Sequence, residues 1–259
     1  MSYNLRMDKI ISFNNNSLGV YSEEQIRKDW NIPGRVMGAN SGRCYIVGDP
    51  LDSSRKVLEI KYPRGKVGQE EDGGGAQWRH KFGASYTKCT VEYKAMFPID
   101  FDFVKGGKLP GLGGGTSPGG GKDSDGSDGF SARIMWREGG ELFQYMYWME
   151  RSQEKNWGDD LPWVNLNGDR KSLKIIPGQW HTLKTKIIMN TPGERDGTVT
   201  SWLDGELALS NKGAFRAVGA TFGIDNFNFT TFFGGNTPDW APTKDEIIYF
   251  ADFKITAGV

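Results

Sequence analysis

Alternation of apolar and polar residues with a period of two is the feature that most constrains how this chain can fold. Successive side chains of a β-strand point to opposite faces of a sheet, so this period predicts strands with one buried face. Nine or more such strands, with hairpin-like spacing and almost no helix, predict an all-β protein, a two-sheet antiparallel sandwich or jelly roll. The alternating segments are residues 43–48, 56–62, 88–97, 130–138, 141–150, 181–189, 197–205, 226–233 and 246–255.

One short helix is predicted near the N-terminus. In the segment SEEQIRKDW, Ser22 is a candidate N-cap and Gln25 stands three residues later, which is a capping-box pattern. Pro33 and Gly34 follow and would end the helix.

The overall charge and the hydropathy pattern exclude several partners. Lys plus Arg and Asp plus Glu each total 32, so the formal net charge is zero and strong binding to nucleic acid or to an anionic membrane is not expected. There is no apolar run of about 18 residues for a transmembrane helix. The first residues, MSYNLRMDKIISFNNN, lack the basic start and apolar segment of a secretory signal. We therefore expect a monomer whose location the sequence leaves unknown.

The cysteine and histidine content predicts no metal centre and no cofactor. Cys44 and Cys89 form neither a disulfide framework nor a metal motif, so we expect two small buried thiols, with a single bridge as the alternative. His80 and His181 are isolated from each other and make no metal site. His80 follows Arg79 in the segment QWRH, near the end of a glycine-rich turn, from which both side chains could reach a groove.

A glycine-rich region from residue 106 to residue 129 raises three alternatives: a linker, a phosphate-binding loop or a wall of a site. The phosphate loop is excluded because Asp123 follows Lys122 where that motif needs Ser or Thr. The segment DSDGSDG could begin a calcium loop, but Ile134 stands where the bidentate Glu belongs, which favours a polar, mobile tip. Strand patterns continue on both sides, so we expect a long functional loop inside a single domain, residues 1–259.

The hairpin at residues 130–150 carries the candidate site. A three-residue loop, residues 138–140, would place Arg133 opposite Tyr145 and Ser131 opposite Tyr147 on one face. A two-residue loop would shift the register and separate them. The four side chains are either ordinary cross-strand partners on an amphipathic face or a cationic, phenol-lined groove for a substrate with a carboxylate beside an acidic carbon. The strands offer no paired inward carboxylates, which favours elimination over glycoside hydrolysis.

Three segments together resemble polysaccharide lyase family 14, and within it the viral alginate and polyglucuronate lyases: GGKLPGLGGG, FSARIMWRE and QYMYW. The resemblance implies a β-jelly roll with the polymer on one sheet, and a site formed by Lys108, Ser131, Arg133, Tyr145 and Tyr147. It also implies an acidic polysaccharide of a host cell wall as substrate, reached from a virion or after host lysis.

The chemistry that such a site allows is β-elimination at a 4-O-linked uronate, with polyglucuronate as the first candidate substrate and alginate as the second. Arg133 would neutralise the C6 carboxylate with two parallel hydrogen bonds, Lys108 would add a point charge, and Ser131 would orient the carboxylate or a tyrosine. One tyrosine would take the C5 proton, its pKa lowered by the two cations, and the same or the other would protonate the leaving oxygen. The alternatives are a non-catalytic carbohydrate-binding jelly roll and a sandwich-type glycoside hydrolase.

Overall fold

Two antiparallel sheets and one helix make up the regular structure in the computed structural model, which describes residues 6–151, 154 and 156–258. The helix α1 spans Glu23–Trp30. In chain order the strands are β1 (Arg6–Ile11), β2 (Gly19–Val20), β3 (Cys44–Asp49), β4 (Asp52–Tyr62), β5 (Ala76–Tyr86), β6 (Lys88–Met96), β7 (Gly106–Gly115), β8 (Gly129–Arg137), β9 (Leu142–Tyr147), β10 (Asp159–Pro162), β11 (Trp180–Ile188), β12 (Gly197–Leu203), β13 (Glu206–Gly213), β14 (Ile224–Phe233) and β15 (Glu246–Gly258).

The two sheets have nine and six strands. The larger sheet has the order β13-β12-β11-β6-β15-β4-β3-β2, and β1 pairs with the second half of the long strand β15. The smaller sheet has the order β10-β9-β8-β7-β14-β5. This architecture confirms the predicted fold class, an antiparallel two-sheet jelly roll with one short N-terminal helix.

Helix α1 links the two sheets through its last residue. Trp30 is fully buried; its ring stacks on Phe227 of β14 at an interplanar angle of 9° and meets Phe253 of β15 edge-on at 5.0 Å between centroids. At the other end, the Ser22 Oγ accepts a hydrogen bond from the Gln25 N–H at 3.2 Å, which confirms the predicted cap. The helix is therefore part of the core between the sheets.

The first ten residues of the glycine-rich region form a strand, so the expected long loop is wrong for residues 106–115. These residues form β7, a central strand that pairs with β8 on one side and β14 on the other. Side chains are excluded by close packing: a Cβ on Gly107 would lie 2.1 Å from the Trp136 ring. Pro110 has no N–H to donate, and the register with β8 shifts between Leu109 and Leu112, which accommodates it. Only residues 116–128 form a connecting loop.

The remaining strands that the pattern did not predict are β1, β2, β5, β10 and β13. Among them β5 matters most for the site, because it contains the segment QWRH that was expected at a turn. Cys44 and Cys89 are both free and buried, as expected for two small buried thiols. None of the helices in the described part of the chain has the length and apolar character that crossing a membrane requires.

Candidate active site

One face of the six-stranded sheet packs on the core, and the other carries the candidate site. We call the second face the polar face. Cross-strand neighbours share a face, so the strand register decides which residues meet there. The polar face is formed by Arg79 of β5, Lys108 of β7, Arg133 of β8, Tyr145 and Tyr147 of β9, and Asn228 of β14.

The hairpin of β8 and β9 has the predicted register. Ser131 pairs with Tyr147 and Arg133 pairs with Tyr145. The connection is a single 3₁₀ turn, Glu138–Gly140, whose last glycine has a φ of 80° and so takes the left-handed conformation that the three-residue loop requires. The two phenol rings meet edge to face with centroids 5.6 Å apart.

Lys108 lies in the middle of this group. It pairs with Met135 across the strands, and its Nζ lies 3.5 Å from the centroid of the Tyr145 ring and 2.6 Å from the Met135 Sδ. The side chain is only 8% exposed. Burial, followed by repulsion from Arg133 and Arg137, holds the pKa of Lys108 well below its ordinary value. The amine is therefore biased toward its neutral form.

Arg133 presents a guanidinium for which the described residues supply no ion pair. Its Nε is buried without a hydrogen-bond acceptor in the described part of the chain, and its Cζ lies 5.7 Å from the Tyr145 ring centroid. Burial lowers the pKa of Arg133, but a guanidinium is basic enough to stay charged. A half-buried cation without an anion is costly, so this group is suited to receive a carboxylate.

Two loops contact the phenol oxygens. The Tyr147 Oη accepts the N–H of Gly121 at 3.0 Å, and the Tyr145 Oη accepts the N–H of Gly158 at 2.9 Å. Burial nevertheless raises the pKa of Tyr145. The expectation that neighbouring cations lower the pKa is therefore wrong for Tyr145, because the cost of burying a phenolate exceeds the attraction to Arg133.

Ser131 lies beneath the loop of residues 116–128. It is 1% exposed, and its Oγ donates to the carbonyl of Pro118 at 2.6 Å. The structure thus places Ser131 as an anchor of this loop, and not in the open groove where it was expected to orient a carboxylate.

Arg79 and His80 separate onto opposite faces, because neighbouring residues of a strand alternate. The Arg79 Nε donates to the Asn228 Oδ1 at 2.7 Å, and the Asn228 Nδ2 donates to the Ser117 Oγ at 2.9 Å. His80 pairs with Phe227, is 5% exposed, and packs toward the core. His80 therefore does not reach the groove, contrary to expectation, whereas Arg79 lies on the polar face.

The Asp-rich tip of the loop shows ordinary turn contacts. Asp125 accepts hydrogen bonds from the backbone and side chain of Ser127, and Asp128 accepts from the Thr116 hydroxyl. Within the described ranges, no three His, Cys, Asp or Glu residues are grouped to hold a metal ion.

Three residues at or beside the polar face were not predicted as site residues: Asn228, Arg137 and Trp240. Asn228 had a signal, since it alternates with Phe227 and Phe229 in the segment NFNF. Arg137 follows Arg133 at even spacing; its guanidinium forms an ion pair with Asp160 and lies 5.4 Å from the Trp240 ring centroid. Trp240 lies in a 3₁₀ turn distant in sequence and packs against the cluster that Met135 forms with the two tyrosines, and no local pattern marks it.

Comparison with known proteins gives one family and many similar folds. A family model described as polysaccharide lyase 14 matches residues 50–253. No curated protein sequence matches the chain.

Three solved structures illustrate the similarity in fold. A doubly substituted variant of the alginate lyase Aly36B, in complex with an alginate tetrasaccharide, is 22% identical, with 96% of each chain covered and a TM-score of 0.79. An alginate lyase from Aplysia kurodai is 22% identical, with 98% of this chain and 99% of the other covered and a TM-score of 0.71. An alginate lyase from a Chlorella virus is 20% identical, with 93% and 99% covered and a TM-score of 0.70.

Proposed function

The chain belongs to the polysaccharide lyase 14 family and is a polysaccharide lyase, and we propose that it cleaves 4-O-linked uronate polymers by β-elimination on the polar face. Polyglucuronate is the first substrate we propose and alginate the second. The names of the three similar structures, all alginate lyases, support an acidic polysaccharide.

The single observation that carries the proposal is the arrangement of Arg133, Lys108 and Tyr145. A guanidinium free of carboxylates in the described residues, a buried amine and a buried phenol lie within a few ångströms of one another. The C5 proton of a uronate becomes acidic only when its C6 carboxylate is neutralised. A planar guanidinium does this with two parallel N–H···O bonds, which a lysine cannot match.

The elimination then needs a base and an acid. The base removes the C5 proton, the C5–H electron pair forms the C4–C5 double bond, and the C4–O4 bond breaks. The leaving O4 takes a proton from the acid. Arg133 stabilises the negative charge that develops on the carboxylate, and preorganised charge of this kind often accelerates a reaction more than any other effect in an active site.

The base and the acid that we propose differ from those expected from the sequence, and burial is the reason. The lowered pKa of Lys108 makes a neutral amine available, so we assign the proton acceptor to Lys108 rather than to a phenolate. The raised pKa of Tyr145 keeps its hydroxyl protonated, so we assign to it the proton donor for O4. Tyr147 packs against Tyr145 and helps to orient it.

Arg79 extends the binding surface away from the reacting residue. It lies three strands from Arg133 in the sheet order, which corresponds to about 14 Å at the usual strand spacing. Its Nε donates to Asn228, and the residue as a whole is half-buried. We assign Arg79 to the carboxylate of a sugar farther along the polymer. The host cell wall is the biological source of polymer that we propose, in keeping with the viral origin of one similar structure.

Incubation with polyglucuronate and with alginate tests this function. Elimination creates a conjugated unsaturated uronate, so ultraviolet absorbance and reducing ends rise together. Hydrolysis would raise reducing ends alone, and a binding module would raise neither.

Lys108→Ala should lose about 10²- to 10⁴-fold in rate, the usual contribution of a general base. Lys105→Ala, which removes an exposed lysine paired with Asp239, is the matched control and should retain activity.

Reducing ends without absorbance would contradict the elimination. Activity retained by Lys108→Ala would remove Lys108 from the mechanism.

A further inference from the structure

Arg151 is a buried cation that lies outside the polar face and that the mechanism above does not use. It lies four residues after the end of β9 and is 2% exposed, so it cannot contact a polymer. Its Cζ lies 5.2 Å from the centroid of the Tyr147 ring. A buried guanidinium needs hydrogen-bond acceptors, and the position of those acceptors indicates which parts of the chain Arg151 holds in place.

The guanidinium binds the two loops that contact the phenol oxygens. Its Nε donates to the Ser124 Oγ at 3.1 Å and its Nη2 to the Lys122 carbonyl at 3.2 Å, both in the loop of residues 116–128. Its Nη1 donates to the Trp157 carbonyl at 3.3 Å, in the segment before β10. Arg151 thereby joins the loop that holds Tyr147 to the segment that holds Tyr145.

One of these bonds reaches Tyr145 through a single peptide group. The Trp157 carbonyl and the Gly158 N–H belong to the same peptide unit, and that N–H donates to the Tyr145 Oη. A cation bonded to the carbonyl polarises the peptide and strengthens its N–H as a donor, since hydrogen bonds in a chain reinforce one another. The positive charge of Arg151 is in this way relayed to the phenol oxygen.

In the loop of residues 116–128, Arg151 binds the residue next to the one that contacts the Tyr147 phenol. Lys122, whose carbonyl Arg151 binds, follows Gly121, whose N–H donates to the Tyr147 Oη. The Lys122 N–H closes a turn on the Gly119 carbonyl at 3.4 Å. Fixing the Lys122 carbonyl therefore fixes the turn that presents the Gly121 N–H.

We propose that Arg151 is a positioning residue for Tyr145 and Tyr147, acting through the peptide groups of two loops. The proposal rests on the proposed function, because it explains how a phenol that gives its proton to O4 is held and how the resulting phenolate is stabilised. We expect that lysine does not replace it, because a single ammonium lacks the planar fork whose three separate nitrogens each reach a different acceptor.

The test compares Arg151→Lys with Arg195→Lys, an exposed arginine paired with Glu150. For Arg151→Lys we expect kcat on the uronate polymer to fall by about 10- to 100-fold, the usual cost of a misplaced catalytic group, while KM stays within about threefold. In ¹H–¹⁵N spectra, the amide protons of Gly158 and Gly121 should move upfield as their hydrogen bonds weaken. Arg195→Lys should change neither.

Ser124→Ala keeps the proposal testable if Arg151→Lys does not fold. It removes one of the acceptors in the described residues that join Arg151 to the loops, and kcat should fall by about two- to fivefold, in line with one hydrogen bond. Ser127→Ala, in the same loop but bonded to the exposed tip, is its control.

Two results would overturn the proposal. One is a kcat within twofold of wild type together with unmoved glycine amide signals. The other is a large rise in KM at constant kcat, which would mean direct substrate binding. A wild-type protein that forms no unsaturated uronate would instead refute the proposed function, so the two failures are distinguishable.

Discussion

Burial, more than charge pairing, sets the properties of the candidate catalytic residues. Lys108 and Tyr145 both shift toward their neutral forms, although each has charged neighbours. The free-energy cost of removing each charge from water is larger here than the stabilisation that nearby opposite charges provide. The guanidinium of Arg133 therefore stays charged beside an amine and a phenol that are both biased toward their neutral forms.

Arg133→Lys tests whether geometry or charge matters in carboxylate binding. Lysine keeps the charge but loses the planar pair of donors, so kcat/KM should fall by about 10²- to 10³-fold, comparable to the loss of an oxyanion donor. The initial rate of unsaturated-uronate formation measures it. Arg35→Lys, exposed and paired with Glu70, is the control. A loss smaller than tenfold would count against bidentate binding.

Arg137→Gln tests Lys108 as the base through the pH dependence of the rate. The base must be unprotonated, so kcat/KM rises with pH through the pKa of Lys108 in the free enzyme. Arg137 lowers that pKa and Asp160, its partner, raises it. Removing the cation and freeing the carboxylate both raise the pKa of Lys108, so the rising limb of the pH profile should move to higher pH.

Lys105→Gln is the control for this experiment, because it also removes a cation that is paired with an aspartate, in this case at the surface. Its rising limb should coincide with that of the wild type. A limb in Arg137→Gln that stays in place or moves to lower pH would exclude Lys108 as the titrating base.

At the scale of single elements, β7 shows how close packing can produce a strand from glycine. Its neighbours β8 and β14 lie so near that a Cβ on Gly107 would meet the Trp136 ring at 2.1 Å and the Phe232 carbonyl oxygen at 2.4 Å. Glycine has low strand propensity, but a strand between two others can form backbone hydrogen bonds on both sides. The sequence pattern could not show this, because the neighbours that demand glycine are distant in sequence.

Gly107→Ala should destabilise the protein by about 2–3 kcal/mol, since the methyl group must displace a buried indole or backbone. Urea unfolding midpoints measure the effect. Gly48→Ala is the matched control, because Gly48 also lies in a strand and a Cβ there would meet nothing within 4 Å. Its stability should stay within about 0.5 kcal/mol of wild type or rise slightly. Equal midpoints for the two variants would contradict the packing explanation of β7.

The hairpin of β8 and β9 is the opposite case, an element that local sequence specifies almost completely. Residues 138–140 select the turn, the turn selects the register, and the register brings Arg133 opposite Tyr145. What the hairpin alone does not show is the loop that covers Ser131. That contact is made by Pro118, which belongs to the preceding connection.

At the scale of the whole molecule, one apolar core joins the two sheets, and Trp30 is central to it. The indole contacts Phe227 of the smaller sheet and Phe253 of the larger sheet. A core shared in this way predicts that the sheets unfold together.

Trp30→Ala should lower the free energy of unfolding by about 3–5 kcal/mol, because it leaves a large cavity between the sheets. Far-ultraviolet circular dichroism and tryptophan fluorescence should report a single, coincident transition. Ile99→Ala, at a side chain that is 84% exposed, is the control and should change stability by less than about 0.5 kcal/mol. Two separated transitions, or a midpoint equal to that of the control, would contradict the central role of Trp30.

The sequence by itself determined the features that depend on neighbours along the chain. These are the all-β class from the period of two, the cap of α1 from Ser22 and Gln25, and the register of the β8–β9 hairpin. Such features are set by local sterics and hydrogen bonds, which a short stretch of residues contains.

Only the tertiary structure decided the features that depend on distant segments. Residues 106–115 form a strand between two others, and His80 faces the core. A loop covers Ser131, and Trp240 packs against the cluster that contains the tyrosines. The tertiary structure also set the directions in which the pKa values of Lys108 and Tyr145 shift, because both values depend on how fully other strands and loops exclude water. Desolvation is a property of the packed molecule, so no local pattern can encode it.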